Sequence, residues 1–411
     1  MKRVLTIRMG SLLTALAILF SLFPIPVAAV EAGWIDQAQM PEDYAEDAST
    51  VTINSAEELA WLAKTVNAGT TFQGKTIELT SNIDLGGSQW VPIGTKSHPF
   101  QGTLDGNGAV ISGMQVSSDS GGLAGFFGYV QDAEIYDLEL SSAVLTAQQT
   151  GIQRAGLLAG WVVGSTVSGV TVRDSSMEVT ISGAAQFSSF GGLVGLVDFS
   201  ESSGGSSSEI SGCKATGITI SYAGSADTSA AYTIDLGGWD GSAEFYLPVS
   251  LGGLVGAQGN PYHDKYRGAY GYPTSMDHCK AEDLTVTRTA GDGSLLEAIG
   301  GMIGSVQTAA SVEDCSVEDL VADLTAEIPS TSLSDAILAG LYLGGVAGIF
   351  DGDSTMLRCS VIHGEVDSSV TGGHTDDSKN SGGFYGALAC PSRLRNWVMP
   401  SLRNSKPRIP P

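Results

Sequence analysis

Gly191-Gly192-Leu193-Val194-Gly195 is the stretch on which the fold turns, because it returns as Gly252-Gly253-Leu254-Val255-Gly256, Gly300-Gly301-Met302-Ile303-Gly304 and Gly344-Gly345-Val346-Ala347-Gly348. Looser copies are Gly121-Gly122-Leu123-Ala124-Gly125, Gly156-Leu157-Leu158-Ala159-Gly160 and Gly382-Gly383-Phe384-Tyr385-Gly386. The seven starts lie 35, 35, 61, 48, 44 and 38 residues apart. A constant motif at variable spacing describes a fixed structural step that carries loops of different length, which is how a solenoid absorbs insertions.

A second element follows each of the first six copies. It reads Ala133-Glu134-Ile135-Tyr136-Asp137-Leu138-Glu139-Leu140 in the first unit and Val312-Glu313-Asp314-Cys315-Ser316-Val317 in the fifth, with related stretches at 167–172, 210–220, 276–286 and 356–366. Apolar and polar residues alternate, and Val, Ile, Thr and Leu dominate, which is the pattern of a strand. Glycines suit tight corners where no Cβ fits, whereas inside helices each one costs about 1 kcal/mol. The pattern predicts an all-β chain, a right-handed parallel β-helix with a short N-terminal capping helix. Cys213, Cys279, Cys315 and Cys359 each fall three residues after an apolar residue, and Leu138 and Val170 hold the same place in the first two units. Four cysteines in an exported chain suggest disulfides, and equivalent positions on parallel coils suggest a stacked column of buried thiols; the apolar company favours the column.

The chain divides into 1–29, a signal peptide; 30–50, an acidic linker; 51–115, an N-terminal capping unit; 116–386, the repeats, with an insertion over 223–275; and 387–411, a tail of different composition. Residues 1–29 run from Lys2, Arg3 and Arg8 through an apolar stretch to Val27-Ala28-Ala29, so cleavage is expected after Ala29. An uncleaved anchor is the other reading, since residues 11–30 are long enough to span a bilayer. In the capping unit Ser55 is placed to cap a helix, with Glu57 and Glu58 in its first turn and Leu59, Trp61, Leu62 and Val66 on one face. The tail holds no acid, five basic residues and five of the 14 prolines. It reads either as a basic segment that touches an anionic envelope or as a frame change that replaces the true C-terminus; its onset just after a repeat motif favours the second.

Composition narrows function. Gly is 54 of 411, nearly twice the usual share of about 7%, without a G-X-Y period. Lys+Arg is 20 against Asp+Glu 44. Without the three basic residues of 1–29 and the five of the tail, residues 30–386 hold 12 basic against 44 acidic residues, a balance of −32. Nucleic acid is therefore not an expected partner, and no basic stripe with interleaved aromatics appears.

The copies at Gly191 and Gly252 resemble the GLUG motif of bacterial surface proteins, including regions of IgA-protease-type polypeptides outside their peptidase domain and filamentous adhesin-like proteins. The segment from Ile53-Asn54-Ser55-Ala56-Glu57-Glu58-Leu59 to Phe100-Gln101-Gly102-Thr103-Leu104-Asp105-Gly106-Asn107-Gly108 is similar to the one that precedes such repeats in large exported proteins of Gram-positive gut bacteria. The resemblance covers roughly 51–386. It implies a secreted or cell-surface location and a scaffold or adhesin-like role, and it transfers no catalytic residue.

No catalytic set stands out. His98, His263, His278, His363 and His374 include no H-E-x-x-H pair, and His278-Cys279 lacks further ligands, so His278 reads as a turn residue and neither metal nor cofactor is expected. Asp376-Asp377 and His363-Gly364 match fragments of pectin-hydrolase motifs, but glycoside hydrolysis needs a complete carboxylate pair. Asp351-Gly352-Asp353-Ser354 resembles part of a calcium loop and reads as a turn. The binding candidates are aromatic. Residues 232–272 hold six of the 12 tyrosines, among them Tyr246, Tyr262, Tyr266 and Tyr270, together with Trp239. Aromatics on Gly-rich loops form a platform for sugar rings or a partner protein, or fold back to cover the solenoid. The expected function is an exported scaffold or adhesin-like module, without enzymatic activity, whose partner is a glycan or a host or bacterial surface protein; the membrane is met only through the signal peptide. A polysaccharide-active lyase or glycoside hydrolase is the alternative, as is a fragment whose activity lies in a missing C-terminal part.

Overall fold

The computed structural model describes residues 33–386 except 118–121, 151–152, 183–187, 201–205, 225–231, 236–241, 246–248, 260–273, 290–295, 307–309, 329–339, 351–353 and 373–384. The segment expected as a signal peptide, the expected cleavage site after Ala29 and the tail lie outside the described residues. Within 33–386 the chain is a parallel β-helix. From Leu123 onward successive coils contribute strands to four sheets in fixed order, while the N-terminal strands before it join only two of them, and all four sheets grow by parallel, in-register pairing between successive coils. We name them by their place along a coil. The inbound sheet holds Arg154–Gly156, Ser189–Gly191, Val249–Gly252, Leu296–Gly300 and Gly340–Gly344. The outbound sheet follows with Ala159–Val163, Val194–Asp198, Val255–Gln258, Ile303–Val306 and Ala347–Phe350. A short-strand sheet includes Thr166–Ser168, Glu209–Ser211 and Thr274–Asp277, and a long-strand sheet includes Thr171–Ser182, Lys214–Gly224, Lys280–Arg288 and Ser316–Ile328.

Alternation places one face of every strand in a continuous apolar core. Ile135, Val167, Ile210, Met276 and Val312 stack in the short-strand sheet, and Ala215, Ile220, Ala281, Val286, Val317 and Ala322 in the long-strand sheet, all buried. Between these two sheets the chain bends at one residue with φ near 55°: Asp137, Gly169, Gly212, His278, Asp314 and Arg358 on successive coils. The left-handed backbone required there admits Gly and Asp readily and explains why His278 occupies a corner. The residue after each corner points inward. It is Leu138, Val170, Cys213, Cys279, Cys315 and Cys359, and all four cysteines are buried and outside any disulfide. Five residues beyond the first corner a second left-handed column holds Ser142, Asp174, Gly217, Asp283, Asp319 and His363.

At the N-terminal end Thr50–Ile53 forms the edge of the short-strand sheet and pairs with Thr76–Leu79. The crossover between them is the helix Ala56–Asn67 (α1). Ser55 Oγ accepts a hydrogen bond from Glu58 N at 3.3 Å, and Glu58 Oε2 accepts from Asn54 N at 2.8 Å, so the acid expected in the first turn closes the helix start. Leu59, Leu62, Ala63 and Val66 enter the core of the first coil and cover strand ends that would otherwise be open. Part of the stretch expected as a solvated linker is built into this end. Trp34, Ile35, Ala38 and Tyr44 pack on the core, and Trp34 Nε1 donates to Leu85 O at 2.8 Å, while Glu42, Asp43, Glu46 and Asp47 are exposed.

The motif copies differ from their sequence alignment at both ends. Gly156, Gly191, Gly252, Gly300 and Gly344 form one in-register column. In the first coil that carries the motif Leu123 and Ala124 stand opposite Arg154 and Ala155, so Gly125 continues that column. In the seventh copy Gly386, the last residue of the motif, stands opposite Leu343, one step from the column.

Candidate functional site

The repeated Gly-Gly-Leu-Val-Gly segment is an arch whose tip points into the core. Its apolar residues Leu193, Leu254 and Met302 are fully buried, and a methyl group on Gly253 would lie 2.5 Å from Leu284 Cδ2 of the long-strand sheet. The inbound and outbound legs then run back with their backbones in contact. A methyl on the glycine at the fifth position of a copy would meet the inbound strand of the preceding coil: from Gly195 to Ala155 N is 2.6 Å, from Gly304 to Leu251 N 2.5 Å, and from Gly348 to Ile299 N 2.6 Å. Each outbound strand therefore packs on the inbound strand one coil earlier. Ser250 and Ser305, 55 residues apart, obey the same offset, with their hydroxyls 2.6 Å apart and buried.

This geometry divides the aromatic insertion into two. Residues 249–258, placed by the sequence inside a single insertion over 223–275, are the inbound and outbound legs of an arch in the core. One loop joins Lys214–Gly224 to Val249, and the other joins Gln258 to Thr274. Motif spacing merged them because the Gly252 copy sits between two aromatic-rich stretches. The first loop carries an antiparallel hairpin, Tyr232–Asp235 with Ser242–Phe245, in which Tyr232 stands opposite Phe245. Trp239 and Tyr246 belong to this loop and Tyr262, Tyr266 and Tyr270 to the second; all five lie outside the described residues. Their two loops leave from the two free ends of one arch.

The residues at those ends are unusual for a core. At the first loop's foot Tyr222 is buried, and on the next coil Arg288 and Glu297 form an ion pair with 0% and 1% of their side chains exposed. Arg288 Nε donates to Glu297 Oε2 at 2.9 Å and Nη2 to Oε1 at 3.0 Å, while Nη1 donates to the carbonyls of Thr289 and Thr325, each at 2.8 Å. Tyr222 Oη donates to Glu297 Oε1 at 3.5 Å, and burial first, then the Glu297 charge, pushes its pKa well above the ordinary phenol value. At the second loop's feet Gln258 and Thr274 are each 1% exposed, and neither the Gln258 carboxamide nor the Thr274 hydroxyl finds a hydrogen-bond partner among the described residues.

A second cluster closes the arch mouth on the first coils. The Tyr129 and Trp161 rings meet edge to face at 5.1 Å, with the Arg154 guanidinium 4.2 Å and the Lys96 ammonium 5.2 Å from the Trp161 ring centroid. Burial, reinforced by Asp198 and Asp132, raises the Tyr129 pKa to about 12, so its hydroxyl stays protonated at physiological pH. Trp161 Nε1 is buried without a hydrogen-bond partner among the described residues. Sequence reading missed this cluster because its members come from separate repeats.

The remaining candidates are dispersed. His98 Nδ1 donates to Asn67 O at 2.9 Å, at the end of α1. His278 Nδ1 lies 2.8 Å from Asp277 Oδ2, and that bond raises its pKa. His363 Nδ1 lies 3.4 Å from Asp319 Oδ1. Among the described residues no group of three or more His, Cys, Asp or Glu is placed to hold a metal ion. His263, His374, Asp376-Asp377 and 351–353 lie outside the described residues.

No family model matches the chain. Over 73 residues it is 33% identical to a protein of Evansella cellulosilytica provisionally named a Gly-rich membrane protein; the stretch covers 18% of this chain and 8% of that protein. Among the described residues here no helix is long and apolar enough to cross a membrane. A crystal structure from Bacteroides ovatus, provisionally named an immunoglobulin A1 protease, superimposes with a TM-score of 0.46 at 14% identity, covering 80% of this chain and 84% of that one. The polygalacturonase of Erwinia carotovora gives a TM-score of 0.18 at 10% identity, covering 80% and 99%.

Proposed function

We propose that this chain is an exported cell-surface scaffold of the GLUG-repeat kind that acts as an adhesin-like binding module, taking a glycan or a surface protein on its two aromatic loops. One observation carries the reading: Trp239 and Tyr246 on one loop, and Tyr262, Tyr266 and Tyr270 on the other, hang from the two free ends of a single arch. Aromatic-rich segments that leave the chain on either side of one arch suit recognition, since such rings give large contact area at low entropy cost. The acidic body favours neutral or cationic partners over polyanions. The signal-like N-terminus supports export.

The test is binding to an immobilised panel of neutral and acidic polysaccharides and to intact bacterial and epithelial cells, with the chain and its Trp239→Ala/Tyr262→Ala variant. Retention on at least one surface is expected, with a drop of at least tenfold in the variant and unchanged circular dichroism. Retention that survives both substitutions places recognition elsewhere. Release of new reducing or unsaturated sugar ends from any bound polysaccharide overturns the scaffold reading in favour of an enzyme.

A further inference from the structure

The cysteine column is the feature that the proposed binding role leaves unused. Register fixes its geometry. Ser211 pairs with Asp277 and Lys214 with Lys280, so Cys213 stands beside Cys279; the same argument sets Cys279 beside Cys315 and Cys315 beside Cys359. Backbone bonds from Lys280 N to Cys213 O (2.9 Å), Ser316 N to Cys279 O (3.0 Å) and Ser360 N to Cys315 O (3.0 Å) hold successive steps together. Neighbouring strands are about 4.8 Å apart, inside the Cα separation of about 4.4–6.8 Å that a disulfide spans. The four side chains point the same way into the core. Each thiol lies between a carbonyl of its own coil, Ser211 O (3.4 Å), Asp277 O (3.3 Å), Glu313 O (3.1 Å) or Leu357 O (3.4 Å), and one of the coil before it, Val167 O (3.6 Å), Ile210 O (3.5 Å), Met276 O (3.9 Å) or Val312 O (3.6 Å). These are weak contacts, and little is lost when they break.

We propose that this column is a covalent lock, closing as two inter-coil disulfides, Cys213–Cys279 and Cys315–Cys359, by exchange with a low-molecular-weight disulfide. In each pair one thiolate attacks the small disulfide and expels one small thiol, leaving a mixed disulfide. The neighbouring thiolate attacks the protein sulfur of that mixed disulfide and expels the second small thiol. Two protein thiols are oxidised and one small disulfide is reduced to two thiols. Steps of one coil can close; Cys213–Cys315 and Cys279–Cys359 are about 9.6 Å apart and cannot. Pairing the middle two, Cys279 with Cys315, strands the outer two, so only the stated pattern uses all four. The product is neutral, which suits the apolar corner, whereas a metal thiolate there would bury charge. In a solenoid each coil touches only its immediate neighbours, so a covalent tie between coils opposes fraying coil by coil. Contact with the adjacent thiol and burial hold Cys315 up at about 12 and Cys279 and Cys359 higher still. Exchange in the closed solenoid is therefore slow, and the lock forms as the coils assemble or where the terminal coil opens; Cys359, at 5% exposed against 1% for the other three, is the outermost member.

The experiment uses the full chain with Cys390→Ala. It is unfolded in urea under reductant, refolded into a buffer of oxidised and reduced glutathione, and digested without reduction for peptide mass mapping. The expected result is two cross-linked peptides, 213–279 and 315–359, the loss of four hydrogens in the intact mass, and a urea midpoint above that of the same chain refolded with reductant alone. If refolding is inefficient, the natively purified chain is held in the same glutathione buffer, and 315–359 is expected to appear first. A native-like chain that keeps four thiols overturns the proposal, as does a dominant 279–315, 213–315 or 279–359 link. In the Cys279→Ala variant 315–359 is expected to persist without any bond to Cys213.

Discussion

Replacing Glu297 with alanine is expected to lower the unfolding free energy by about 3–5 kcal/mol, because it leaves the Arg288 guanidinium buried without its carboxylate. Arg288 keeps its bonds to the Thr289 and Thr325 carbonyls but remains buried against Tyr222. The pair itself is not required for the fold. Glu297 stands opposite Val249 on the preceding coil, and Arg288 stands between Tyr222 and Leu324 on its neighbours. The double variant Arg288→Leu/Glu297→Val restores the apolar pattern of the adjoining coils, and it is expected to recover most of the loss. Urea titration followed by circular dichroism distinguishes the two. A single variant within about 1 kcal/mol of the parent means that the pair is solvated. A double variant as unstable as the single means that the ion pair fixes the coil's conformation as well as its charge balance.

Gly304→Ala is expected to destabilise the chain by at least about 3 kcal/mol or prevent its folding, the upper end of what overpacking does, because the obstacle is backbone on both sides. The added methyl would lie 2.5 Å from Leu251 N and 2.5 Å from Gly256 O, and neither can swing aside as a side chain does. Relief requires the outbound strand to lift from the inbound strand, which separates the arch legs along the whole solenoid. Gly364→Ala is the matched control. Its methyl meets only Val361 Cγ1 at 3.6 Å, and the change in stability is expected to stay below about 1 kcal/mol. Equal midpoints for the two variants contradict the close packing of the legs.

The β-helix was legible because its two strongest signals are local. The Gly-Gly-Leu-Val-Gly copies mark the arch tips, and the alternating strands that follow mark the next two sheets, so coil number and cysteine column follow from spacing alone. Ser55 and Glu58 announced α1 for the same reason. What escaped the sequence depends on contacts between coils. The Gly121 and Gly125 glycines overlap in one run, and letters alone favour Gly121-Gly122-Leu123-Ala124-Gly125; only the inbound register shows that Gly125 fills the arch position. Arg288 and Glu297 belong to no motif, and only the fold shows that both face inward. The division of the aromatic segment was hidden by the Gly252 copy at its centre, whose legs are core strands rather than loop. Trp34 and Tyr44 were obscured by the acids around them.

Each outbound strand packs against the inbound strand of the coil before it, and this offset sets the packing of the arch whose two ends lead into the aromatic loops. The most direct measurement is a cross-link across that arch. In the Ser250→Cys/Ser305→Cys variant, exposed to oxidised glutathione during refolding and mapped by mass spectrometry without reduction, the predicted result is a disulfide between positions 250 and 305, since the parent hydroxyls lie 2.6 Å apart. A folded chain in which the two introduced thiols remain reduced, or bond to other cysteines, contradicts the offset between inbound and outbound strands.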